Sequence, residues 1–144
     1  MRLYLDANAL IYAVEGPEFF FRQIEALLDE SGPEQQILTS QLSRLECRVK
    51  PLRDGDKETL REFDAVFRAA DLTVLDITRE IVDLATEIRA QFGFRAPDSL
   101  HLATAVVANA DAFVSGDVRL RQYDRLKVQV LDSPEENGSS SSAG

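Results

Sequence analysis

The 144-residue sequence contains one cysteine, one histidine and no tryptophan, and none of its apolar runs is long. The single thiol, Cys47, cannot close an internal disulfide, so no cystine framework shapes the fold. No run approaches the roughly 20 apolar residues that a membrane helix needs. The N-terminus lacks the basic, apolar and small-residue regions of a signal peptide, because Asp6 interrupts it at once. A soluble, cytoplasmic protein is the expectation. Positive charge is scarce too: 25 acidic against 16 Lys or Arg residues leave a net charge of −9. That argues against a non-specific nucleic-acid binder, which needs a basic surface to release counterions. It does not exclude nucleic-acid chemistry, since acids gathered round a cation present a neutralised site once the cation binds.

What is present is a globular mixture, 44% hydrophobic and 28% charged, enough for one domain with a substantial core. Apolar segments alternate between strand and helix patterns. RLYLD (2–6) reads as a short buried strand, with a helix from about Asn8; FFFRQIEALLDE (19–30) is helical and is ended by SGP at 31–33. QILTS (36–40) is a second strand, followed by a helix QLSRLECRVK (41–50) that Pro51 stops. KETLREFDAVFRAA (57–70) is amphipathic, with Leu60, Phe63, Val66, Phe67 and Ala70 on one face. LTVLDI (72–77) is a third strand, and REIVDLATEIRAQFG (79–93) a helix closed by Gly93. Pro97 opens a further helix, PDSLHLATAVVANA, before the strands AFVS (112–115) and KVQVL (127–131). Short apolar strands alternating with helices predict an α/β fold, a three-layer α/β/α sandwich around a mostly parallel sheet of four to five strands. Residues 1–132 form the domain, and the polar stretch 133–144 reads as a disordered tail.

In an open α/β sheet ligands bind outside the carboxyl ends of the strands. Asp6 closes the first strand, Ser40 the second, and Asp117 follows the fourth after Gly116, a flexible turn residue. Asp111 precedes that strand and belongs at the opposite edge. Two more acids lie on helices rooted at the same edge. In 41–50 the apolar stripe is Leu42, Leu45 and Val49; Glu46 borders it, while Arg44 and Arg48 share an outer face. Asp98 and His101 lie in the first turn of an almost wholly apolar helix.

Taken singly, each acid has an ordinary explanation. Asp6 is a turn acid, Asn8 a cap for the following helix, and Asp98 a first-turn stabiliser. Together, Asp6, Glu46, Asp98 and Asp117 come from separate elements and can converge. Four packed carboxylates repel and hold protons unless cations neutralise them, and oxygen-only ligands suit Mg²⁺ or Mn²⁺ rather than zinc. Cys47 and His101 do not make a thiol catalyst, since nothing orients the pair. His101 reads as a helix-surface or outer-layer residue rather than a ligand. Asp76 reads as turn chemistry ahead of a helix beginning at Thr78. Phe19, Phe20 and Phe21 exceed what one helix face can bury, so part of the cluster is a candidate contact for another chain.

The segments LDANALIY (5–12), TSQLSRLE (39–46), APDSLHLATA (96–105) and FVSGD (113–117) resemble, in order, the motifs of PIN-domain ribonucleases, most closely the VapC toxins of toxin–antitoxin systems. The resemblance implies a metal-dependent endoribonuclease cutting RNA with Mg²⁺ or Mn²⁺, an antitoxin protein as partner, and a homodimer. It implies that Asp6, Glu46, Asp98 and Asp117 are the catalytic and metal-binding acids, with Asn8 and Ser40 supporting them from behind. Relatives that carry a further acid shortly after the fourth differ from this chain, which runs Val118, Arg119, Leu120. Arg44, Arg48 and Arg119 are the candidate RNA contacts, although a solvated charged face is their plainer explanation. The competing reading is a non-catalytic PIN scaffold that binds protein or RNA without cutting.

Overall fold

The computed structural model describes residues 1–30 and 32–132; the polar tail expected at 133–144 lies outside the described residues. Five strands, β1 (Arg2–Leu5), β2 (Gln36–Ser40), β3 (Leu72–Leu75), β4 (Ala112–Ser115) and β5 (Lys127–Val130), form one sheet in the order β3-β2-β1-β4-β5. Every pairing is parallel. Six helices surround it: α1 (Ala7–Glu15), α2 (Glu18–Glu30), α3 (Gln41–Asp54), α4 (Lys57–Arg68), α5 (Arg79–Phe92) and α6 (Ala96–Val107), with a 3₁₀ turn at Val118–Gln122. This is the three-layer, parallel-sheet architecture that the alternation of elements predicts.

Side-chain alternation along the central strands divides the core in two. On one face Tyr4, Leu38 and Phe113 pack against Ile81, Ala85 and Ile88 of α5 and Leu102 of α6. On the other, Leu3, Leu5, Ala112 and Val114 meet Leu10 of α1, Ile24 of α2, Cys47 of α3 and Phe63 of α4. Strands β1 and β4 are therefore covered on both sides, as their unbroken apolar runs require.

The chain runs from β1 outward to β2 on one side, and β4 lies on the other. The sheet changes direction between β1 and β4, and a crevice opens there at the strands' carboxyl ends. Leu5 is in register with Val114, and the Asp6 amide donates to the Val114 carbonyl at 3.2 Å. Asp6 and Ser115 are thus set side by side at the crevice mouth.

Three local expectations are corrected. Helix α3 does not stop at Pro51 but continues to Asp54, with Pro51 buried inside it. Gly55, at φ 68°, ends it instead, because a left-handed residue is what terminates a helix cleanly. The stripe that α3 buries is Ser43, Cys47 and Pro51, whereas Leu45, Val49 and Leu52 are 59%, 48% and 65% exposed and Leu42 is half-buried. The cap of α1 is Asp6, whose Oδ1 accepts from the Ala9 amide at 2.9 Å, and Asn8 is exposed within the helix. Gly116 lies in the bend that follows β4, as expected, without a left-handed φ, and the ring of Tyr12 stands where its Cβ would be.

Candidate acidic site

The crevice is built from the ends of β1 and β4 and the starts of α3 and α6. Asp6 leaves β1 fully extended and caps α1, so its side chain is fixed by helix geometry and buried at the sheet edge. Its carboxyl is held above the ordinary carboxylate range, chiefly by burial. The negative charge of Asp98 pushes the same way, while His101, the Ser115 hydroxyl and the Ala9 amide oppose it. Asp98, in the first turn of α6 behind Pro97, is buried too and contacts Arg95 Nε at 3.2 Å through Oδ2.

Asp117 follows β4 after one residue. Its amide donates to Ser115 Oγ at 3.0 Å, and its carboxylate takes a fork from Arg119, with Nε to Oδ1 at 3.0 Å and Nη2 to Oδ2 at 2.6 Å. That contact holds its carboxyl below the usual range. Ser115 thereby links two acids, since its hydroxyl also hydrogen-bonds to Asp6. Glu46 is on α3, and its Oε1 lies 2.6 Å from His101 Nε2 of α6. His101 Nδ1 lies 2.8 Å from the Tyr4 hydroxyl, which is 2.9 Å from Ser40 Oγ. Ser40 is the cap of α3 and is fully buried.

Asp98, Arg95 and Arg119 line a cleft of about 200 Å³ with Phe92, Gly93, Phe94 and Gln122. Arg119 is therefore at the acidic crevice. Arg44 and Arg48 are not: each is two residues from Glu46, on the far side of α3. Arg48 Nε instead pairs with Asp64 of α4 at 2.8 Å, in a groove shared with Arg44. Asn8 makes no hydrogen bond to these acids among the described residues.

The donor chemistry suits a hard divalent cation: four carboxylates and no sulfur, with two of the acids buried and repelling one another. Cys47 offers no competing chemistry, because burial, reinforced by the charges of Glu46 and Asp6, pushes its thiol up to about 12. Among the described residues no three acid, histidine or cysteine side chains converge on one point. Three of the acids are turned toward protein cations or histidine: Glu46 to His101, Asp98 to Arg95, and Asp117 to Arg119.

Residue patterns alone do not single out Tyr4, Arg95 and Ser115, and they rank His101 low. Signals for three of them were present. Tyr4 and Ser115 each stand in the last two residues of a strand, two positions before an acid that follows it, and His101 is three residues after Asp98 on one helix face.

A family model described as the PIN domain matches residues 3–126. No curated protein matches the sequence. Among solved structures, VapBC2 from Rickettsia felis, bound to a DNA fragment from its promoter, superposes with a TM-score of 0.74 at 19% identity, covering 92% of this chain and 100% of that one. A toxin–antitoxin complex from Klebsiella pneumoniae gives 0.71 at 17% identity, covering 91% and 98%. VapC20 of Mycobacterium tuberculosis, a toxin that cleaves the sarcin–ricin loop, gives 0.65 at 14%, covering 81% and 90%. At these identities the likeness is one of fold.

Proposed function

Because the chain belongs to the PIN-domain family, we propose that it is a metal-dependent endoribonuclease and the toxin of a toxin–antitoxin pair. The observation that carries this reading is the burial of both Asp6 and Asp98 at the sheet's switch point, with the Asp6 carboxyl pushed up chiefly by burial and in smaller part by the charge of Asp98. Such a pair is unfavourable for folding alone and becomes favourable when a cation is bound.

Asp6 and Asp98 would hold Mg²⁺ or Mn²⁺, and Glu46 and Asp117 would complete the set directly or through water. A divalent ion supplies charge neutralisation and an activated water for phosphodiester hydrolysis. The chain does the rest. Ser115 and the Ala9 amide orient Asp6, Ser40 supports the wall behind Glu46, and Arg119, in the cleft wall with Asp98, would meet the substrate phosphates. The substrate is RNA in a single-stranded or looped form, which can lay a phosphate in a crevice of this size.

The antitoxin is assigned to the apolar surface near α2, where Phe21 is 46% exposed while Phe20 stacks on Tyr12 at 4.4 Å. A second copy of the chain is assigned to the exposed Leu45, Val49 and Leu52 of α3.

One observation favours the other reading, a scaffold that does not cut: three of the four acids, Glu46, Asp98 and Asp117, are already paired within the chain. Both are tested by calorimetric titration of the purified, tag-free protein with Mn²⁺, alongside cleavage of a structured RNA. The nuclease reading expects binding and cutting, and expects Asp98→Asn to lose at least about 100-fold in rate while retaining its melting profile. Neither binding nor cutting by the wild type would hand the case to the scaffold. Unchanged cleavage by Asp98→Asn would remove that acid from the site.

A further inference from the structure

The one histidine of this chain is neither on the helix surface nor in the crevice. It is almost wholly buried behind Glu46, and both ring nitrogens are engaged. Nε2 faces Glu46 Oε1 at 2.6 Å and Nδ1 faces the Tyr4 hydroxyl at 2.8 Å, which in turn reaches Ser40 at 2.9 Å. The ring is further fixed by an edge contact with the Tyr4 ring at 5.9 Å, and Tyr4 stacks on Phe113 at 5.3 Å. The chain Ser40–Tyr4–His101–Glu46 therefore runs from the cap of α3, through the rigid centre of the sheet and the wall of α6, back to α3.

Counting hydrogens fixes the role of the imidazole. The Tyr4 hydroxyl has one hydrogen. If it goes to Nδ1, Ser40 donates to the Tyr4 oxygen; if it goes to Ser40, Nδ1 carries a hydrogen and donates to Tyr4. In both arrangements Nε2 carries a hydrogen where it faces Glu46 as a carboxylate, because two acceptors do not sit 2.6 Å apart; the first arrangement is then the neutral ring and the second the imidazolium. The Nε2–H then donates to Glu46 Oε1. A free glutamate on a helix surface samples many rotamers, and this one is held in place by a donor that cannot move. One carboxylate oxygen is taken, and no hydrogen bond among the described residues ends on the other.

We propose that His101, braced by Tyr4 and Ser40, is the positioning residue of the site, setting Glu46 so that its second oxygen is offered to the crevice. This rests on the reading of Glu46 as one of the metal-binding acids. Outer-layer partners of this kind commonly change metal affinity by roughly 10- to 100-fold. His101 touches neither metal nor substrate; it acts through Glu46.

The test compares wild type with His101→Leu, His101→Gln and Tyr4→Phe, all tag-free, by thermal melting, Mn²⁺ calorimetry and the Mn²⁺ dependence of RNA cleavage. His101→Leu is expected to bind Mn²⁺ about 10-fold or more weakly, and to need correspondingly more Mn²⁺ for half-maximal cleavage. His101→Gln, which keeps a donor within reach of Glu46, is expected to restore binding to within a few-fold. Tyr4→Phe is expected to fall between them. If His101→Leu is folded and binds Mn²⁺ as wild type does, or if the glutamine variant is folded and no better than the leucine one, the proposal is wrong.

Should His101→Leu fail to fold, Tyr4→Phe and a spectroscopic measurement decide. A single histidine gives one pair of ring-nitrogen NMR signals, and titration of wild type with Mg²⁺ should move the Nε2 signal. The same titration of Glu46→Gln should leave it in place. A wild type that cuts RNA while its imidazole signals ignore Mg²⁺ would overturn the positioning role and leave the nuclease reading standing. A wild type that neither binds Mn²⁺ nor cuts would remove the nuclease reading, and this proposal with it.

Discussion

At Asp6 a structural and a chemical demand fall on one carboxylate. Its Oδ1 caps α1, which is a gain for folding, yet the group is buried beside Asp98 and its carboxyl is pushed above the usual range. The sign of the effect on stability follows. A group whose carboxyl is raised in the folded state binds its proton there over a window where the unfolded chain has released it. Stability therefore falls as pH rises through that window, and the loss is complete above the folded-state value. Asparagine caps helices as well as aspartate does and carries no charge. Asp6→Asn should thus raise the melting temperature of the metal-free protein at neutral pH, by roughly 2–5 °C, while abolishing cleavage. The gain should shrink at lower pH, because the raised Asp6 carboxyl takes up its proton in the folded wild type before it would in the unfolded chain. Thermal melts at both pH values check it, and a lower melting point for the variant at neutral pH would show that Asp6 is not strained.

Helix α3 and the β4–Asp117 corner show how elements shape the site. The residues of α3 supply a helical stripe twice over, Leu42, Leu45 and Val49 on one side and Ser43, Cys47 and Pro51 on another. Periodicity cannot say which faces inward. The small stripe wins because it lets α3 lie close to α1, where Cys47 Sγ reaches the Ala7 carbonyl at 3.8 Å, and that choice carries Glu46 round to His101. The two glycines that end elements act by different physics. Gly55 is left-handed with open space where a Cβ would go, so Gly55→Ala should cost roughly 1 kcal/mol through backbone strain alone and leave cleavage untouched. Gly116→Ala should do more to the site than to the fold, because the new methyl meets the Tyr12 ring and displaces Asp117. Paired melts and cleavage rates separate the two. Equal effects of both substitutions on the rate would contradict the account of Gly116.

For the molecule as a whole, the net charge of −9 and the exposed apolar stripe on α3 bear on partners. A row of Leu45, Val49 and Leu52 left in solvent favours association, and we assign it to a second copy of the chain. The double variant Leu45→Asp, Val49→Asp should reduce the mass measured by light scattering from dimer to monomer with little change in melting temperature. A monomeric wild type at micromolar concentration would rule the assignment out. No described helix is long and apolar enough to cross a membrane.

The order of strands and helices is a local matter, and the sequence by itself determines it. Strand periods, caps such as Thr78 before α5 and stops such as Gly93 are written in neighbouring residues. So is the placement of Asp6, Ser40 and Asp117 at strand ends, and of Asp111 at the opposite edge, where it accepts from the Arg2 amide. Asp98 and Asp117 find Arg95 and Arg119 within three residues of themselves, but what holds Glu46 was decided only by the tertiary structure. Tyr4 and His101 are 97 residues apart in sequence, and Glu46 and His101 are 55 apart. They meet because β1 lies between β2 and β4 and because α3 turns its small side inward, and neither the sheet order nor that rotation is fixed by a pattern of period two or 3.6.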